Sequence, residues 1–218
     1  MKPFFIAAAL SLGLCSCSES APVVQILQVK LPDKDCKVSN DSPGIANGSL
    51  NLAYGRSYVL AFIVNNAYTS TAIDVNGVPL EPGEGTGGAS TAVVDTLKLS
   101  YETTPNVSIP DGEVPYTAGL APASEGNTLV ANLLTREARD ALVAAVSPTQ
   151  PVQVRITVQF TGKYASGHKK FESNEIVYTV DAYTQDVGIP ACGAGTTPDP
   201  IAPCGSAGGQ DGNFPSCM

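Results

Sequence analysis

The 218-residue chain has no tryptophan, one histidine and two methionines, and only 6% of it is aromatic. One histidine cannot supply a zinc site built on paired imidazoles. It also leaves a single imidazole to act as base for a serine or cysteine nucleophile. Without tryptophan there is no buried indole of the kind antibody-type domains pack beside their inter-sheet disulfide. Long apolar runs are missing too: none approaches the roughly 20 residues that span hydrocarbon, so no permanent transmembrane helix is encoded. Positive charge is scarce, with 12 Lys and Arg against 20 Asp and Glu and a net charge of −8. Such a chain repels a phosphate backbone, which excludes nucleic acid as a partner. What is present is a 43% hydrophobic fraction, too high for wholesale disorder, and 21 glycines without the third-position period of collagen. The length suits one domain with appendages.

The start of the chain has the form of an export signal. Lys2 precedes an apolar stretch of 11 residues, Phe4 to Leu14, followed by small residues. Leu14-Cys15-Ser16-Cys17 resembles the bacterial lipobox, in which a Cys is lipidated and becomes the new N-terminus. By that resemblance Cys17 is the lipidated residue, because Ser16 fits the small position before it and Leu14 the aliphatic one. Parity agrees: cleavage before Cys17 leaves Cys36, Cys192, Cys204 and Cys217, an even number able to pair in an oxidising compartment. Ser18, rather than Asp, follows the lipidated Cys, which by resemblance to enteric-type sorting points to the outer membrane. The expected layout is a signal peptide over 1–16, a lipidated tether over 17–22, a β-sandwich domain over 23–183 and a Cys/Gly/Pro-rich tail over 184–218.

Periodicity predicts an all-β fold. Val23–Leu31 reads as a strand, and Tyr58–Val64 is a nearly continuous apolar run suited to a buried strand. Val75-Asn76-Gly77-Val78 is a hairpin turn signal. Ala92–Tyr101 and Thr128–Leu134 are strands, while four prolines make Pro105–Asn127 read as a long irregular crossing between sheets. Thr135 is placed to cap a short helix ending before Pro148. Val152 to Phe160 alternates apolar and polar residues, Thr161–Lys170 reads as a polar bend, and Phe171–Tyr183 returns as the second arm of an antiparallel hairpin. The sum is an immunoglobulin-like two-sheet β-sandwich with one short helix and an irregular, disulfide-pinned C-terminal tail; a jelly roll or small barrel is the rival.

Chemistry-bearing patterns are sparse, and no catalytic residue, metal site or cofactor is assigned. His168 lies on a Gly- and Lys-rich bend and reads as a solvated turn residue. Asp33/Asp35, Glu81/Glu84 and Asp111/Glu113 are acid pairs in polar loops, and two carboxylates are all a glycosidase needs. Asp74-Val75-Asn76-Gly77 and Asp211-Gly212-Asn213 begin like calcium loops but lack the full spacing. The cysteine spacings of 11 residues from Cys192 to Cys204 and 12 from Cys204 to Cys217 match no Cys-x-x-Cys pattern. They read as structural disulfides. If the first strand runs beside the last, as in immunoglobulin-like sandwiches, Cys36 is expected to pair with Cys192 and Cys204 with Cys217.

Residues 152 to 218 carry a resemblance. Gly162 to Gly167, then Glu172-Ser173-Asn174-Glu175, Tyr178-Thr179-Val180, Pro203-Cys204, Gly209-Gln210-Asp211-Gly212 and Cys217 resemble the C-terminal half of uncharacterised cell-envelope lipoproteins of myxobacterial type. The resemblance implies a lipid-anchored envelope protein and transfers no activity. The expected function is a non-enzymatic outer-membrane lipoprotein acting as a structural or interaction module, held to the membrane by its N-terminal lipid and able to meet an envelope protein partner. The competing readings are a secreted carbohydrate-active hydrolase or binding module using loop carboxylates, and a subunit that docks by adding a strand at a sheet edge.

Overall fold

The long alternating segment near residue 155 becomes β9 (Val152–Tyr164), a 13-residue strand that buries Val152, Val154, Ile156, Val158, Phe160 and Tyr164 on one side. In this computed structural model the residues described are 22–33, 37–39, 41–68, 73–75, 78–80, 91–122, 124–165, 169–188, 191–197, 209–214 and 217–218. Among them β9 is central to the larger sheet. It pairs antiparallel with β6 (Ala92–Thr104) on one side and with β11 (Ile176–Tyr183) on the other. The sheet continues to β7 (Gly112–Leu120) beyond β6 and to β2 (Asn47–Asn51) beyond β11, giving the order β2-β11-β9-β6-β7; short β10 (Lys170–Glu172) pairs with the far end of β9. The β2–β11 pair is parallel.

The second sheet has three strands in the order β1-β3-β8, with β1 (Val24–Lys30), β3 (Val59–Asn66) and β8 (Ser124–Asn132). The apolar run expected over Tyr58–Val64 is its middle strand, where Leu60, Ala61, Phe62 and Val64 are fully buried. The two sheets meet face to face. Phe62 of β3 stacks edge-on against Phe160 of β9 with ring centroids 5.3 Å apart, and Tyr116 of β7 meets the same Phe160 at 5.6 Å. Helix α1 (Arg136–Ala145) carries the chain from β8 to β9. It begins as the sequence implies, with the Thr135 hydroxyl accepting from Ala138 N–H, and it buries Ala138 and Leu142. A small separate hairpin joins β4 (Ile73–Val75) to β5 (Val78–Leu80) in the register a two-residue turn demands.

Two expectations are corrected. Residues 105–127 are not an irregular crossing: β7 lies within them, and β8 begins inside them. Val114, Tyr116, Ala118 and Leu120 alternate with exposed Glu113, Pro115, Thr117 and Gly119. The prolines mislead because β7 lies at the edge of its sheet, where a residue lacking N–H costs no inner ladder bond. Residues 161–170 are likewise not all bend, since β9 persists to Tyr164 and β10 starts at Lys170.

Side-chain amides take up main-chain groups that the ladders leave over. Ile26 of edge strand β1 stands opposite Val64, and its own N–H and C=O are both bonded by Asn174, at 2.7 and 3.2 Å. Asn127 does the same for Ala121 at the β7–β8 turn, at 2.9 and 3.3 Å. Glu172-Ser173-Asn174 therefore acts as a unit. Buried Ser173 exchanges bonds with the Phe160 backbone, and Asn174 reaches across to the other sheet.

Candidate functional site

The densest polar cluster in the described residues lies where the C-terminal tail returns to the sandwich. It is built on β2. One side of β2 pairs with β11, and the other receives residues 209–211. Asn51 N–H donates to Gly209 C=O at 2.7 Å, and Asp211 N–H to Ser49 C=O at 2.8 Å. Ser49 N–H in turn donates to the Asp211 carboxylate at 2.7 Å. Between these contacts, Gln210 turns its side chain, 6% exposed, toward the other sheet. Its amide accepts from Val59 N–H at 2.9 Å and donates to Val59 C=O at 2.8 Å. β1 ends at Lys30 opposite Ala61, two residues short of Val59. One glutamine amide thus supplies the strand partner that β3 lacks there, and it ties both sheets together.

The floor of this notch is aromatic. Tyr58 and Tyr178 lie with ring centroids 5.7 Å apart and hydroxyls 3.1 Å apart, both buried. The Tyr58 hydroxyl also lies 3.0 and 2.9 Å from the two Asp211 carboxylate oxygens. Tyr58 has one proton and the carboxylate is the stronger acceptor, so Tyr58 donates to Asp211 and Tyr178 donates to Tyr58. The backbone must come close for this to work. At Gly48 a Cβ would overlap the Tyr58 hydroxyl and the Asp211 carboxylate, and a Cβ at Gly55 would sit 2.8 Å from the Gly209 Cα. The root of the tail is held alongside: Asn51, 1% exposed, clasps both the N–H and C=O of Gln185, and the Tyr54 hydroxyl donates to Asp186.

Burial is the main reason both phenols are hard to ionise: Tyr178 is pushed up to about 12, and Tyr58 is raised further. The unfolded chain's tyrosines titrate near about 10. The fold favours the neutral phenol, so this contribution to stability is complete below about pH 10 and is lost as pH rises through the folded values. We expect the urea midpoint to fall above about pH 10, and the rings of Tyr58 and Tyr178, read individually by NMR, to ionise only with unfolding. Either ring ionising in folded protein near that pH would contradict the buried cluster.

Chemically, the cluster holds; it does not activate. Its carboxylate accepts from two donors of the protein itself, the Ser49 N–H and the Tyr58 hydroxyl, and the cluster contains no nucleophile beside a base. Among the described residues no three His, Cys, Asp or Glu gather as a metal site. The acid pair Asp111/Glu113 is exposed and lines an open groove of about 520 Å³ beside the N-terminus of α1, with Thr135, Arg136 and Glu137. Asp33 caps Lys37 N–H at 2.8 Å. Cys17, Cys36, Cys204, His168, Asp35, Glu81 and Glu84 lie outside the described residues.

The disulfide expectation is corrected. Cys192 is bonded to Cys217, with Cα atoms 5.6 Å apart, and not to Cys36. Cys217 is therefore not available to Cys204. The tail closes on itself: Thr197 and Met218 exchange both backbone bonds at 2.8 Å beside the bridge. Two bridges among four cysteines then leave Cys36 to Cys204. A non-reducing peptide map of the exported protein is expected to show that second pair, and free thiols at both positions would refute it.

Tyr58, Tyr178 and Gln210 were not singled out from sequence as partners of one another. The only signal was Gly209-Gln210-Asp211-Gly212, whose short polar run carries no role until the tail is folded back. No family model matches the chain, and comparison with curated proteins and with solved structures found no match to it.

Proposed function

We propose that the chain is a non-enzymatic, lipid-anchored protein of the bacterial cell envelope, its sandwich acting as a structural or interaction module at the outer membrane. The observation that carries this reading is the closure of the tail cluster. The Asp211 carboxylate, the Gln210 amide and both phenols are spent on one another and on backbone groups. These groups serve rigidity rather than catalysis. An immunoglobulin-like topology is supported by the strand order. β1 and β2 send the start of the chain to different sheets, and β2 runs parallel beside the last strand, β11. The Leu14-Cys15-Ser16-Cys17 run supports attachment through Cys17.

The test is export of the wild-type chain and of Cys17→Ala. Intact mass of membrane-extracted wild-type protein is expected to show a triacylated Cys17 with residues 1–16 removed. Cys17→Ala is expected to move most of the protein from the membrane fraction to the soluble one. A soluble wild-type product beginning at another residue would overturn the anchoring.

A further inference from the structure

Four cations of the described residues are held by carboxylates: Lys98 pairs with Glu172, Arg155 with Glu102, and both Arg136 and Arg139 with Asp140. The hairpin of β9 and β10 departs from this. Lys163 of β9 stands directly opposite Lys170 of β10, both are exposed, and exposed Lys169 adjoins them. None of the three has an ion-pair partner among the described residues. Like charges facing each other across a ladder destabilise it. Three of the chain's 12 Lys and Arg are thus gathered into a local repulsion, in a protein whose net charge is −8.

The same end of the sandwich receives the start of the domain. Just before β1, Val23 C=O accepts from Ala67 N–H at 2.9 Å, and the next residue, Tyr68, lays its ring 4.9 Å from that of Tyr164, the last residue of β9. Tyr164 N–H donates to Lys169 C=O at 2.9 Å, and its ring meets that of Phe171, next to Lys170, at 5.6 Å. Three packed rings therefore fix the entry point and the lysines to one another. Residues 17–22, which separate Cys17 from this point, reach at most about 20 Å when extended. The 13 residues of β9 run about 40 Å to the other end of the sandwich. A chain held at Cys17 cannot stand on that far end; the end within reach carries the lysines.

We propose that the end of the sandwich bearing Lys163, Lys169 and Lys170 docks on the anionic headgroups of the membrane that holds the chain. The inference rests on the attachment proposed at Cys17 and adds which end meets the lipid and through which charges. An acidic protein close to an anionic surface is repelled as a whole. Three adjacent lysines within a Debye length of the headgroups, about 8–10 Å at ordinary salt, then decide its orientation. Bringing lipid phosphates to the Lys163/Lys170 pair also relieves the repulsion across the β9–β10 ladder.

The experiment uses the oxidised mature chain from Ser18, with a hexahistidine segment in place of Cys17, bound to vesicles through a nickel-chelating lipid. The tether is thus supplied whatever the native N-terminus carries. The vesicles are phosphatidylcholine alone or with phosphatidylglycerol, and acetylation of each lysine is followed by peptide mass spectrometry. Lys163, Lys169 and Lys170 are expected to react at least ~5-fold more slowly on the anionic vesicles, the effect of about 1 kcal/mol per lysine at an anionic surface. Exposed Lys37, beyond the other end of β1, is expected to react equally on both. Lys163→Gln/Lys170→Gln changes two exposed positions and is expected to abolish the protection of Lys169. Equal reaction of the three lysines on both vesicles would overturn the docking, even where native Cys17 is triacylated. Protection in this assay beside an unlipidated native chain would overturn the attachment alone. Equal protection by inorganic phosphate without vesicles would mark a site for the free ion and overturn the docking.

Discussion

Replacing Phe160 by alanine is expected to remove about 3–5 kcal/mol of stability, the usual cost of deleting a fully buried ring. The residue is 0% exposed on the core face of β9. Its ring meets Phe62 from the opposite sheet and Tyr116 from the edge strand β7, so one side chain joins three strands and both layers. Little can move in to refill the space, because its neighbours on the same face of β9 are Val158, β-branched and held in register on both sides, and Gly162, which has no side chain to offer. Since a domain of this kind is stable by only about 5–15 kcal/mol, the variant should unfold at a much lower urea concentration with an unchanged denaturant slope. A loss below about 1 kcal/mol would mean that the two sheets do not pack through this ring.

Gly48→Ala is expected to cost about 3 kcal/mol, at the upper end of what one extra methyl does in a packed site. The new Cβ would occupy the place of the Tyr58 hydroxyl and the Asp211 carboxylate. Tyr58 is 0% exposed and cannot swing into solvent, so the relief open to the molecule is to lift the tail. The change should therefore be local in one respect and costly in another. Hydrogen exchange should accelerate at Ser49, Val59 and Asp211, whose amides bond across this contact, while β6 and β9 stay protected. Unaltered exchange at those three amides would show that the tail does not depend on Gly48.

Much of the sandwich is legible because its strands obey a simple period. β9 alternates apolar and polar residues from Val152 to Phe160, β3 is apolar from Val59 to Val64, and the Thr135 cap and Pro148 delimit α1. The edge strand β7 is hidden because Pro110 precedes it and Gly112, Pro115 and Gly119 punctuate it, although Val114, Tyr116, Ala118 and Leu120 keep the period beneath them. The strand that runs parallel beside β11 is β2 and not the first strand, β1. The cysteine pairing failed for a related reason. Where the strands end does not decide it, because the tail turns back along β2 and meets its own beginning. The amide contacts of Asn51, Asn127, Asn174 and Gln210 leave no mark on the sequence. Asparagine and glutamine in polar segments look like turn residues until distant backbone is brought within reach.

Those four amides have a consequence for how the molecule behaves in a crowd. A strand edge whose N–H and C=O groups face water is a template on which another strand can grow, and that growth is how sheet proteins aggregate. Ile26 and Val59 are residues of this kind, each turning both groups away from its ladder partner. Each is met by a side-chain amide, from Asn174 and Gln210 respectively. A side-chain amide completes one pair of bonds and offers no further backbone beyond it, so the ladder terminates instead of repeating. β7 ends its own sheet with Pro115, which has no N–H to offer. At Ile26, Val59 and Pro115 the ladders thus end in groups that offer no further backbone, so strand addition by a neighbouring chain is disfavoured at these points.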